Sequence, residues 1–146
     1  MDARTVDFLL RAKRATYAGH GAEAGPSRPA SHDLQYAEGT LTYHDTYLGG
    51  ERFAGQEALW ENGVPFWAMN YCGRVLREGF SGDFLKAALY AVPREMPFRG
   101  PETYREGARS YLCQVKGDID WFYGYEWIEK DGVRVYECAF HGGNVR

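Results

Sequence analysis

Glu57 and Glu126 are the two residues whose setting most needs a chemical explanation. Each closes a Phe-x-Gly-x-Glu motif, once at Phe53–Glu57 and again sixty-nine residues on, at Phe122–Glu126. In an extended strand the Phe, Gly and Glu of such a motif share one face. Each repeat therefore sets a carboxylate between a glycine and an apolar residue, Leu59 or Ile128, on a strand expected to be internal. A buried carboxylate is costly unless it meets a cation, hydrogen-bond donors or a shared proton. Three chemistries answer that need. The glutamates can receive a cationic ligand, act as acid/base groups with displaced pKa values, or be structural, held by loop amides or by Arg28 and Arg99.

The partners of these glutamates follow from two turns. Asn62-Gly63 and Asp131-Gly132 are two-residue hairpin signals, since both turn positions favour positive φ. Counting back from the turns puts Glu61 opposite Val64, Glu57 opposite Ala68 and Gly55 opposite Asn70. In the second hairpin Lys130 faces Val133, Glu126 faces Glu137 and Phe122 faces His141. Facing glutamates repel, so this register calls for an arginine, a shared proton, a bound cation or open water. The candidate ligand-binding residues are Glu57, Asn70, Glu126, Glu137 and His141, with Trp67 and Tyr125 as aromatic neighbours; no catalytic residue is assigned. Trp60, Trp67, Tyr71, Tyr123, Tyr125, Trp127, Tyr136 and Phe140 fall on the opposite face, as core under the helices. With both faces apolar, the helices, the long loops or a homodimer must cover them.

Other combinations are weaker. His44 and Asp45 are adjacent on a strand and point to opposite faces, which rules out a simple dyad there. Cys138 and His141 form a lone C-x-x-H with no second pair, so no metal site is expected. No G-x-S-x-G, P-loop, G-x-G-x-x-G or H-E-x-x-H is present, and nothing calls for a cofactor.

The hairpins sit inside a longer repetition. Residues 53–73 and 122–142 also share Gly63/Gly132, Val64/Val133 and Gly73/Gly142. YAEGTLTY at 36–43 answers YREGARSY at 104–111, and DFLLRA at 7–12 answers DFLKAA at 83–88. The order never changes, which indicates two copies of one unit, about 5–76 and 82–145, in a single domain spanning 1–146. Each unit opens with an amphipathic helix, Thr5–Ala18 or Gly82–Ala91, the second capped by Ser81. A strand follows at 34–43 or 103–115, then the hairpin. Two α-β-β-β units predict an α+β fold with a largely antiparallel six-stranded sheet, two helices on one face and a pseudo-twofold groove. Residues 19–33, GHGAEAGPSRPASHD, are aperiodic and read as a long connection or lid.

Composition narrows the class of function. A net charge of −3 and a pI near 5.8 argue against direct nucleic-acid binding, and RAKR at 11–14 reads as a solvated helix face. No apolar run approaches a membrane span and MDARTVDF lacks a signal core, so a cytoplasmic protein with three reduced cysteines is expected. Aromatic content of 16%, with eleven tyrosines, suits a ligand-lined cleft.

Several stretches are also similar to a known family. YHDTYLGGERFAGQEALWENGVPFWAMNYCGRVL, FSGDFLKAAL, RGPETY, VKGDIDWFYGYEWI and VYECAFHGG resemble an uncharacterised bacterial family, domain of unknown function 5680. The resemblance runs from about Phe8 to Gly143. It implies either a stand-alone protein or the partner of a helix-turn-helix in a regulator, and it carries no assigned catalytic residues. A looser, architectural similarity is to gyrase-inhibitor-like effector-binding domains, which bind small, often cationic ligands. The leading expectation is a small-molecule binding or sensing domain with a cleft between the repeats. The alternatives are a small enzyme using glutamate acid/base groups there, and a structural dimeric interaction domain.

Overall fold

The computed structural model describes residues 1–145. Helix α1 runs Ala3–Ala15, starting two residues and ending three residues earlier than its apolar spacing suggests; the Asp2 side chain caps its start by accepting from the Thr5 amide at 2.8 Å. Helix α2 spans Gly82–Tyr90, capped by Ser81 and followed closely by Pro93. Phe8, Leu9 and Ala12 of α1 and Phe84, Leu85, Ala88 and Leu89 of α2 bury against one face of the sheet.

The described residues form eight strands rather than six. They are β1 (His32–Glu38), β2 (Leu41–Gly49), β3 (Arg52–Glu61), β4 (Val64–Val75), β5 (Thr103–Glu106), β6 (Arg109–Asp118), β7 (Trp121–Lys130) and β8 (Val133–Asn144). The expected single strands at 34–43 and 103–115 are each a hairpin. Their turns are Gly39-Thr40 and Gly107-Ala108, with φ of +62° and +58° at the glycines. A positive φ at the first turn position alone is the type II′ signature, which glycine supplies without steric cost. The six-stranded α-β-β-β scheme is thereby corrected to two helices and one sheet, antiparallel throughout, in the order β1-β2-β3-β4-β8-β7-β6-β5. At its centre Tyr71 of β4 lies opposite Phe140 of β8, sixty-nine residues away in the chain.

The register of both hairpins also differs from the count. Asn62-Gly63 and Asp131-Gly132 take positive φ as expected, and the first pairs, Glu61–Val64 and Lys130–Val133, are as predicted. A bulge then intervenes beyond Trp60 and beyond Glu129, with Phe66 or Val135 as the extra residue. Every later pair moves by one. Glu57 faces Met69, Glu126 faces Cys138, Gly55 faces Tyr71 and Phe122 faces Gly142. A shift of one residue turns side chains to the other face. Trp67, Tyr71, Tyr136 and Phe140 therefore join the two glutamates beneath the helices, while Asn70, Glu137 and His141 face the other way.

The repeated glycines now have a steric reason. A Cβ on Gly55 would lie 2.4 Å from the Tyr71 hydroxyl oxygen, and one on Gly124 would lie 2.3 Å from Cζ of Phe140. Each glycine lets an aromatic ring from the neighbouring strand lie across its own.

Candidate functional site

The two glutamates sit under the helices at 5% and 0% exposure, and both are already partnered. Glu57 forms an ion pair with Lys13 of α1, whose ammonium also donates to the Phe98 carbonyl at 2.6 Å. Lys13 belongs to the RAKR run, expected on a solvated face. Four residues after Leu9, it lies instead on the buried side of α1, while Arg11 and Arg14 are exposed. Glu126 accepts from Arg99 at 2.7 and 3.2 Å, from Tyr136 at 2.9 Å and from the Tyr111 hydroxyl. Arg99 is thus the partner anticipated for Glu126. Arg28 is not a partner of Glu57; it donates to Thr46.

Of the three buried carboxylates beneath the helices, Asp45 is the one with no ion pair among the described residues. It lies on β2 directly opposite Glu57 and is 4% exposed. Its Oδ1 accepts the Tyr71 hydroxyl at 2.6 Å, and among the described residues no second donor bonds to the group. Burial, then the neighbouring Glu57 charge, push its pKa up to about 7, against the lowering effects of the Tyr71 hydrogen bond, Arg99 and Lys13. Burial and the Asp45 charge in turn hold the Tyr71 phenol well above its usual value.

Asp45 lines a cavity of about 330 Å³ between the helices and the sheet, at the small end of ligand-site volumes. Its walls are the rings of Tyr17, Tyr43, Tyr47, Phe53, Tyr71, Phe80 and Phe98, with Leu85 and Leu89 from α2. Lys13, Glu57 and Arg99 line the same space, and the Arg99 guanidinium lies 5.2 Å from the centre of the Tyr71 ring. His32 also lines it, stacked on Tyr47 at 4.8 Å with its Nδ1 2.7 Å from Glu23. The far end of the 19–33 connection thus forms part of the cavity wall.

The remaining sequence candidates do not converge on this cavity. Trp67 is fully buried core, donating to the Ile119 carbonyl at 2.9 Å and stacked on Phe122. Asn70 and His141 pair with each other on the uncovered face. Glu137 and Tyr125 are also there, hydrogen-bonded together, with Arg74 on Glu137. The Tyr125 hydrogen bond and then Arg74 hold the Glu137 carboxyl below the usual carboxylate range. The expected Glu126–Glu137 pair does not exist, because the bulge puts the two on opposite sides of the sheet. Cys138 is buried under the helices while His141 faces out, so they cannot share a metal. Among the described residues no cluster of His, Cys, Asp and Glu has metal-binding geometry.

Sequence reasoning missed Asp45 and Asp33. Asp45 alternates with Tyr43 and Tyr47 on β2, a carboxylate flanked by two rings on one strand face. Asp33, fully buried on the other face, accepts from Ser27, Ser31 and His44 and pins the 24–33 segment to the sheet edge. Burial opposes its ionisation, but the two serine hydroxyls and the His44 imidazole hold it well below the usual range. His44 does have an aspartate partner, Asp33 rather than its chain neighbour.

A family model matches residues 45–145, from Asp45 to the last described residue. The chain belongs to the family described as domain of unknown function 5680. The match to this domain of unknown function takes in Asp45, Glu57, Tyr71, Arg99 and Glu126 and leaves α1, with Lys13 and Tyr17, outside it. No curated protein and no solved structure matches the chain. No helix among the described residues is long and apolar enough to cross a membrane.

Proposed function

We propose that the cavity beneath the helices is a binding or sensing site for a small organic cation with an aromatic or alicyclic body. The observation that supports this is the charge balance at Asp45. Lys13 is committed to Glu57 and Arg99 to Glu126, so ionising Asp45 leaves one uncompensated negative charge in a ring-lined space. A ligand cation supplies the missing charge, and the tyrosine faces add cation–π attraction. The internal repetition fits this reading as a duplication in which the first half carries Asp45 where the second carries Cys113.

The acid/base alternative rests on Glu126 with Glu137, or on a glutamate with His141, and the sheet lies between Glu57 and Glu126 on one face and Glu137 and His141 on the other. A dimeric interaction role has no specific feature in its favour beyond the uncovered sheet face.

The test is calorimetry with benzyltrimethylammonium, using benzyl alcohol as the neutral counterpart. The cation is expected to bind at pH 8 and weaken steadily below pH 7, as Asp45 takes up its proton. Equal binding of the neutral compound, or undiminished cation binding by Asp45→Asn, would overturn the reading.

A further inference from the structure

The uncovered face of the sheet carries a second hollow, separated from the cavity by the sheet itself. Strand register sets three parallel rows across β3, β4 and β8. Gln56, Asn70 and His141 form the middle row, and Tyr123 of β7 continues it. Small residues flank that row on both sides: Ala54, Cys72 and Ala139 on one, Ala58, Ala68 and Gly143 on the other. The short side chains lower the floor beside the polar row, and Trp121, paired with Gly143, stands at one end. The resulting hollow has a volume of about 420 Å³ and includes Gln56, Asn70, Trp121, Tyr123 and His141 in its lining.

Three properties define what fits there. Trp121 and Tyr123 are 76% and 57% exposed and lie two residues apart on one strand face, offering ring surfaces to solvent. The Gln56 amide donates to the Asn70 side-chain carbonyl at 2.9 Å, which orients both groups and leaves the Gln56 carbonyl and the Asn70 amino group for an outside partner. No charged side chain among the described residues lines the hollow. The aromatic row does not stay open along the strand: Arg134 lies over Tyr125 and Trp127 at 5.6 and 4.9 Å.

An uncharged occupant with apolar ring faces and many hydroxyls matches all three. A pyranose sets its C–H face on an aromatic ring and directs its hydroxyls to amides and imidazole, with no charge to compensate. We propose that the Trp121–Tyr123 hollow binds a neutral saccharide. A single-stranded nucleic acid would stack on the same rings, but its phosphates call for several lysines and arginines; none lines the hollow, and Lys116, opposite Tyr123, is the one cation that continues the row.

The experiment is titration of the intact chain with cellohexaose, maltohexaose, chitohexaose and mannohexaose, each to about 10 mM, followed by tryptophan emission and calorimetry. At least one is expected to bind saturably, and Trp121→Ala and Asn70→Ala each to weaken it about ten-fold or more, equivalent to about 1.4 kcal/mol. Trp121 is exposed, so an unchanged melting temperature verifies that Trp121→Ala still folds. Four results would overturn the proposal: no saturable binding by any of the four sugars, binding undiminished in Trp121→Ala, Trp121-dependent binding of decathymidylate instead, or a Trp121-dependent dimer in sedimentation.

Discussion

The Tyr71 hydroxyl reaches Asp45 at 2.6 Å from two strands away, passing over Gly55 of the intervening strand. Strand order, a glycine without a side chain and a buried acid thus meet in one contact. It explains why the repeated motif contains a glycine at all, and it makes Asp45 the group on which the cavity's chemistry turns.

Asp45 should make the unliganded protein less stable as pH rises. Its folded pKa of about 7 lies above the unfolded value of about 3.9, so the folded state binds more protons in between. Stability is therefore expected to fall from about pH 4 to pH 7 and to level off above. Asp45→Asn should remove that slope, raising the melting temperature at pH 8 by several degrees and leaving it nearly unchanged at pH 4. Thermal denaturation across that range checks it.

Asp33 should act with the opposite sign. Its folded pKa is depressed, so the stability it contributes is in place above about pH 4 and is lost as pH falls further. Asp33→Asn is expected to cost about 1–3 kcal/mol at pH 7, and that cost should begin to shrink only below about pH 4, as pH falls toward the depressed folded value. Limited proteolysis at pH 7 should then cut the 24–31 segment first.

The Arg99–Glu126 pair should be costly to break from either side. Glu126→Gln leaves a buried guanidinium without its counter-charge, and Arg99→Met leaves a buried carboxylate with only the two tyrosine hydroxyls. Each is expected to destabilise by about 3–5 kcal/mol, while the double variant loses less than the sum. Urea denaturation of the four proteins closes that cycle.

Gly55→Ala should close the cavity from below. The new methyl collides with the Tyr71 ring and with Cβ of Tyr47, which would lie 2.6 Å away. Displacing them is expected to cost about 1–3 kcal/mol and to abolish cation binding. Gly39→Ala, at an exposed turn remote from the cavity, should affect stability alone.

Much of this arrangement was legible in the residues. The Asn-Gly and Asp-Gly turns, Ser81 as a cap and Arg99 as a glutamate partner each follow from local chemistry. The strand count was not, because Gly39-Thr40 and Gly107-Ala108 are weaker turn signals than Asn-Gly and lie inside stretches of continuous strand character. Lys13 was hidden by its basic neighbours, although its spacing from Leu9 already placed it on the buried stripe. Asp45 is masked by His44 beside it: the two point to opposite faces, and the partner of each lies on a neighbouring strand, Glu57 for Asp45 and Asp33 for His44. The bulges left a trace too: Phe66-Trp67 and Val135-Tyr136 are adjacent apolar pairs that break strict alternation.

Those two bulges bear on how the chain can change over evolutionary time. Phe66 and Val135 act as spacers that set which way the rest of β4 and β8 looks. Removing Phe66 would turn Trp67, Met69 and Tyr71 outward and draw Ala68, Asn70 and Cys72 inward, exchanging lining for surface across the middle of the sheet. Length variation is therefore cheap at the Asn62-Gly63 tip and ruinous three residues beyond it. Homologous chains should be free to differ around the tips while keeping the number of residues from Phe66 to the end of β4 constant.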